Sequence, residues 1–293
     1  MSIKRIIILL FLIILQKSLL SQVLPHKMTK EEKEIYPEYL RSLKARGQVT
    51  PPVGEIRTAA EWEEMQGVVI SWQGYSDILT EIVRYAVDEG DVYIVTQNPG
   101  NVQDRLVNEG IATEHVYYLE EPSNSVWIRD YGPNNIYFDK TGELAFVDWI
   151  YNRPRPADDT IPSPLSRLMD IDMYETTQSP YDLVQPGGNF MSDGFGTAFS
   201  SNLVLEENSE HTEEEIDTIV SKFMGIDRYI KMETLPYDGI HHIDMHMKLL
   251  DEETLLVGKY PEGVSDGPRI EENLEMILDN HTSVFGDPYR VIR

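Results

Sequence analysis

The run His241-His242-Ile243-Asp244-Met245-His246 concentrates imidazoles and a carboxylate in one short stretch. On a strand, His242, Asp244 and His246 would share one face, with His241 on the other. Such a face suits either a metal site or a His–Asp pair that moves protons and holds a cationic substrate. Residues four apart on a strand lie roughly 13 Å apart, which places His242 and His246 poorly for one shared ion, while a neighbouring pair could still contribute to a metal held by other residues. A purely structural histidine pair is the third reading. A second cluster, Trp127-Ile128-Arg129-Asp130-Tyr131-Gly132-Pro133, sets an Arg-Asp pair beside aromatic residues and closes on Gly-Pro. It reads as a substrate-holding carboxylate or as a structural ion pair before a turn.

Two further stretches carry polar chemistry. Gly187-Gly188-Asn189-Phe190, followed by Asp193-Gly194-Phe195-Gly196-Thr197, allows close backbone approach or positive φ. It lacks the Gly-Lys-Ser/Thr signature of a phosphate loop. Asn152-Arg153-Pro154-Arg155-Pro156 holds two guanidinium groups near each other on a stiff loop. Such a pair suits an anion lying between them, or salt bridges to Asp158 and Asp159.

The elements that must position these groups alternate. Gly67 to Trp72 predicts a buried strand, Ser76 caps a helix with Ile78, Leu79, Ile82, Val83 and Ala86 on one face, and Val92 to Val95 predicts the next strand. A helix around Val102 to Val107 and a strand from His115 to Leu119 continue the rhythm. Asn135 to Phe138 and Glu143 to Trp149 flank Asp139-Lys140-Thr141-Gly142 as a hairpin. Thr212 and Glu215 form a capping box for a helix running to Met224. Strands follow at Arg228 to Met232, His242 to Leu249 and Thr254 to Val257, then a helix from Arg269 to Asn280 and a strand-like Tyr289 to Arg293. The expected fold is α/β with a mixed sheet.

Asp and Glu total 50 against 25 Lys and Arg, a net charge of −25. This balance disfavours nucleic acid and anionic membranes as partners and is compatible with cationic ligands. Lys4 and Arg5 followed by the apolar run Ile6 to Leu15 predict an export leader over residues 1–21, the run being too short to span a bilayer. An exported location follows, with no membrane association after leader removal. Residues 22–52 read as a polar lead-in that holds a short helix at Lys30 to Leu43, and residues 53–293 as the main folded domain. The chain contains no cysteine, so it offers neither a thiol nucleophile nor a thiolate ligand.

Taken together and in order, Glu61-Trp62-Glu63, Trp127 to Pro133, Gly187 to Phe190 with Asp193-Gly194, and His242-Ile243-Asp244 resemble the agmatine deiminase/bacterial-type peptidylarginine deiminase family. The resemblance implies a pseudo-fivefold α/β propeller of ββαβ units, incomplete at the C-terminal end of this chain. It implies Asp130, His242 and Asp244 as catalytic residues, with Trp127, Asp130, Asp244, Arg153 and Arg155 contacting substrate. It implies no cofactor and no metal, and a cysteine nucleophile that this chain lacks. The abrupt end at Tyr289 to Arg293 reads as a truncation. Of the two substrates the family suggests, a C-terminal peptidyl arginine fits Arg153 and Arg155 better than agmatine does. A metallo-hydrolase built on His242, Asp244 and His246, or a non-catalytic guanidinium-binding protein, are the other readings.

Overall fold

A computed structural model describes residues 23–293. The leader expected at residues 1–21 lies outside the described residues. The first helix, α1 (Lys30–Ser42), begins at a capping box. The Glu32 amide donates to Thr29 Oγ1 at 3.1 Å and the Thr29 amide to the Glu32 carboxylate at 2.7 Å.

Strands β1 (Ile56–Thr58), β2 (Gly67–Ser71), β3 (Asp91–Val95) and β4 (Val116–Leu119) follow, with α2 (Ser76–Ala86) and α3 (Pro99–Asn108) as crossovers. Strands β2, β3 and β4 form an all-parallel sheet. Parallel neighbours need crossover helices, and these cover the sheet so that Val92, Ile94 and Leu106 are fully buried. Helix α2 starts one residue earlier than a Ser76 cap requires: Ser76 is its first residue and Tyr75 takes the cap position, in the left-handed region with φ 43°.

The remainder repeats one connection three times. The short helix α4 (Ile128–Tyr131) leads into β5 (Asn134–Phe138), which pairs antiparallel with β6 (Leu144–Asp148); after α5 (Pro156–Asp159) and α6 (Pro162–Met169), β7 (Asp172–Glu175) returns parallel to β6. Strands β8 (Met191–Ser192) and β9 (Thr197–Ser201) pair antiparallel, and β10 (Arg228–Met232) returns parallel to β9 after α7 (Leu203–Glu206) and α8 (Glu213–Met224). Strands β11 (Met247–Leu249) and β12 (Thr254–Val257) do the same, with β13 (Arg290–Ile292) returning parallel after α9 (Gly267–Asn280). Each unit is thus a hairpin, a helix and a parallel return strand. Strand β1 joins the edge of the first unit against β5.

Helix α8 has the expected box between Thr212 and Glu215 and stops at Gly225, whose φ is 66°. A Cβ there would lie 2.1 Å from the Ile56 carbonyl oxygen, so glycine lets the helix end close on β1. The strand expected from His242 to Leu249 is shorter. Asp238 Oδ1 accepts from the amides of Ile240 and His241 at 2.7 and 2.6 Å, His241 takes φ 63°, and Ile243–Met245 make a 3-10 turn before β11. Local side-chain bonds to the backbone have displaced the ladder there.

Candidate active site

Asp130 sits in the single-turn helix α4, closed by the Gly132 amide donating to the Ile128 carbonyl at 2.8 Å. Its buried carboxylate points at the 3-10 turn Gly187–Asn189, where the Gly188 amide donates to Oδ1 at 3.2 Å. His242 is also buried, and its Nδ1 lies 3.4 Å from the same oxygen. The Gly188 position shows how tightly these groups converge. A Cβ added there would fall 2.6 Å from His242 Nδ1, 2.8 Å from Asp244 Oδ2 and 2.9 Å from Asp130 Oδ1. Only glycine leaves that space open. Gly187 serves the same approach from the backbone side, its absent Cβ lying 2.1 Å from the Arg129 carbonyl.

Burial opposes ionisation of Asp130, yet His242 and His26 outweigh it and hold its carboxyl well below the usual range. For Asp244 the surrounding protein pushes the carboxyl up, His242 opposes and the charge of Asp130 adds to the rise. The Asp244 residue as a whole is exposed, so solvent screens that rise and no energy is attached to it.

Glu61, in the Glu61-Trp62-Glu63 stretch, locks the two carriers together. Its carboxylate takes Arg129 Nη2 at 3.1 Å and Lys248 Nζ at 2.5 Å, tying α4 to β11. Burial opposes its ionisation, but these cations carry its carboxyl below the usual value. Arg129 also donates to the Phe190 carbonyl at 3.0 Å.

The structure therefore brings Asp130, His242 and Asp244 to one point, with Trp127 at its rim. It does so without the strand alternation expected for His242 and Asp244. His246, expected on the same face, is not part of the group: both of its ring nitrogens lack hydrogen-bond partners among the described residues. His241 turns toward Asp238, 3.4 Å away. The metal-type cluster that does form is His26, Asp130 and His242, with donor atoms within 4.8 Å of one another. His26 Nε2 is 2.5 Å from Asp130 Oδ2, a direct hydrogen-bond distance, whereas ligands sharing one zinc stand roughly 3.3 Å apart. An open cavity of about 360 Å³ between Val53, Lys140 and Tyr174 contains none of these groups.

Arg153 and Arg155 are buried beside this cluster, and both donate to the chain's own N-terminal stretch. Arg155 Nε donates to Glu32 Oε1 at 2.7 Å and its Nη2 to the Pro25 carbonyl at 2.7 Å. Arg153 Nε donates to the His26 carbonyl at 3.0 Å. Asp158 is engaged elsewhere, accepting from Asn124 N, Ser125 N and Ser125 Oγ, and burial still carries its carboxyl up to about 6. His26 joins the site although no sequence signal marks it. It stands 104 positions before Asp130, in a stretch whose composition reads only as a polar lead-in.

A sequence model of the Porphyromonas-type peptidyl-arginine deiminase family matches residues 57–293. The chain belongs to that family. A provisionally named agmatine deiminase of Lactococcus lactis is 29% identical over 128 residues, covering 39% of this chain and 34% of that protein. One of Streptococcus mutans is 26% identical over 222 residues, covering 67% and 58% respectively. The chain thus spans about a third to three-fifths of the length of these curated relatives. The solved agmatine deiminase of Enterococcus faecalis superposes with a TM-score of 0.70 at 19% identity, covering 83% of this chain and 73% of that one. At that identity the likeness concerns the deiminase fold alone.

Proposed function

We propose that this chain supplies the guanidinium-holding and proton-handling part of a hydrolytic deiminase. The convergence of Asp130, Asp244 and His242 on the space above Gly188 carries the reading. A monosubstituted guanidinium is planar, cationic and offers five N–H donors, which two carboxylates match bidentately. In hydrolysis the carbon–nitrogen bond to one amino group breaks and a carbon–oxygen bond to water forms. His242 protonates the departing amine and later takes a proton from the water; its Nε2 has no hydrogen-bond partner among the described residues. The family's covalent route needs a thiolate, which this chain does not contain, so the chain by itself binds without turnover. The three hairpin–helix–strand units and the parallel sheet are read as blades of one propeller, and residues 1–21 as an export leader.

Agmatine is the substrate that the names of the curated relatives support. A second reading, arginine at a peptide C-terminus, is favoured by the buried pair Arg153 and Arg155, whose guanidinium groups already donate to carbonyl oxygens and suit a carboxylate. Calorimetry with agmatine, a peptide ending in free arginine and the amidated peptide separates them. Agmatine binding tightest supports the first, and a preference for the free carboxylate the second. Failure of all three to bind overturns the guanidine reading.

A further inference from the structure

Residues 23–32 do not merely precede the domain; they enter the site. Three consecutive carbonyls are taken by three donors of the site wall: Leu24 by Trp127 Nε1 at 3.0 Å, Pro25 by Arg155 Nη2 at 2.7 Å and His26 by Arg153 Nε at 3.0 Å. The His26 imidazole then sits 2.5 Å from Asp130 Oδ2, edge-on to Trp127 with ring centroids 4.5 Å apart, and 5.0 Å from the His242 ring. Glu32, in the first turn of α1, completes the hold on Arg155. This is how an extended peptide with a nitrogenous side chain in the guanidinium seat would bind.

A second anchor lies further along. Arg46 places Nη2 2.6 Å from Asp159 Oδ2, and its amide donates to both Glu175 oxygens at 2.8 and 3.0 Å. Both carboxylates are buried. The stretch is therefore held at two points, one in the substrate seat and one outside it, with the cap residue Thr29 between them.

We infer that residues 23–28 are a tethered occupant of the substrate site, which a guanidine ligand must displace while Arg46 keeps α1 docked. The inference rests on the guanidine reading above. Intramolecular tethering gives the occupant a high effective concentration, so ligand affinity is reduced by the fraction of chains with the seat vacated. Removing the imidazole should weaken the occupant and strengthen ligand binding, the opposite of what a substrate-contacting histidine would give.

The test uses the full chain and agmatine. His26→Ala should bind agmatine about tenfold or more tighter than the parent, as expected for the loss of one charge-assisted competitor. Saturating agmatine should also speed cleavage after the exposed Lys27 by a lysine-specific protease in the parent. Weaker or unchanged binding by His26→Ala, or cleavage indifferent to agmatine while agmatine binds, overturns the tethered occupant and leaves the guanidine reading standing. Agmatine binding by neither chain overturns both.

Discussion

Glu207 offers a prediction that needs no ligand. Both of its carboxylate oxygens accept from Asn152 Nδ2, at 3.0 and 2.9 Å, beside Arg153. Burial raises its pKa from the ordinary 4.5 to about 7, the Asn152 hydrogen bond and the Arg153 charge opposing and Glu206 adding. The raised value means that the folded state binds the proton more tightly than the unfolded chain does. Stability is therefore full below about pH 4.5 and falls as pH rises toward and through 7. At 1.36 kcal/mol per pKa unit the charged form costs about 3 kcal/mol. The residue keeps some solvent contact, which lowers the expected cost to about 1–3 kcal/mol. Glu207→Gln mimics the protonated form and retains one acceptor for Asn152. It should match the parent at pH 4.5 and exceed its Tm at pH 8.5 by roughly 2–10 °C. Melting followed by circular dichroism across that range checks this, and parallel Tm-against-pH curves for the two proteins would refute the reasoning.

Gly188→Ala should reduce agmatine affinity at least about a hundredfold by calorimetry, because its Cβ intrudes on His242, Asp244 and Asp130 together and two charge-assisted bonds are compromised. Gly187→Ala meets the Arg129 backbone instead, so its main effect should be a lower Tm. Thr212→Ala removes the cap of α8 and should lower unfolding free energy by about 1 kcal/mol in urea, with agmatine affinity unchanged.

Much of the fold was legible because it is written in local pattern. The apolar alternation with Gly and Asp punctuation marks the hairpin of β5 and β6, and Thr212 with Glu215 marks the start of α8. The residue types of the site were equally local: Asp130, His242 and Asp244 stand in short, recognisable stretches. What pattern could not supply was how those stretches meet. The expected strand through His242 fails because Asp238 captures two amides, a contact that periodicity cannot foresee. Convergence on Gly188 depends on α4, the turn at Gly187 and the loop before β11 closing together, with Glu61 as their clamp. Only tertiary structure reveals that Arg153, Arg155 and Asp130 hold the chain's own residues 24–32. No composition or spacing rule links His26 to a carboxylate 104 positions away, since long-range pairing is set by packing of the whole domain.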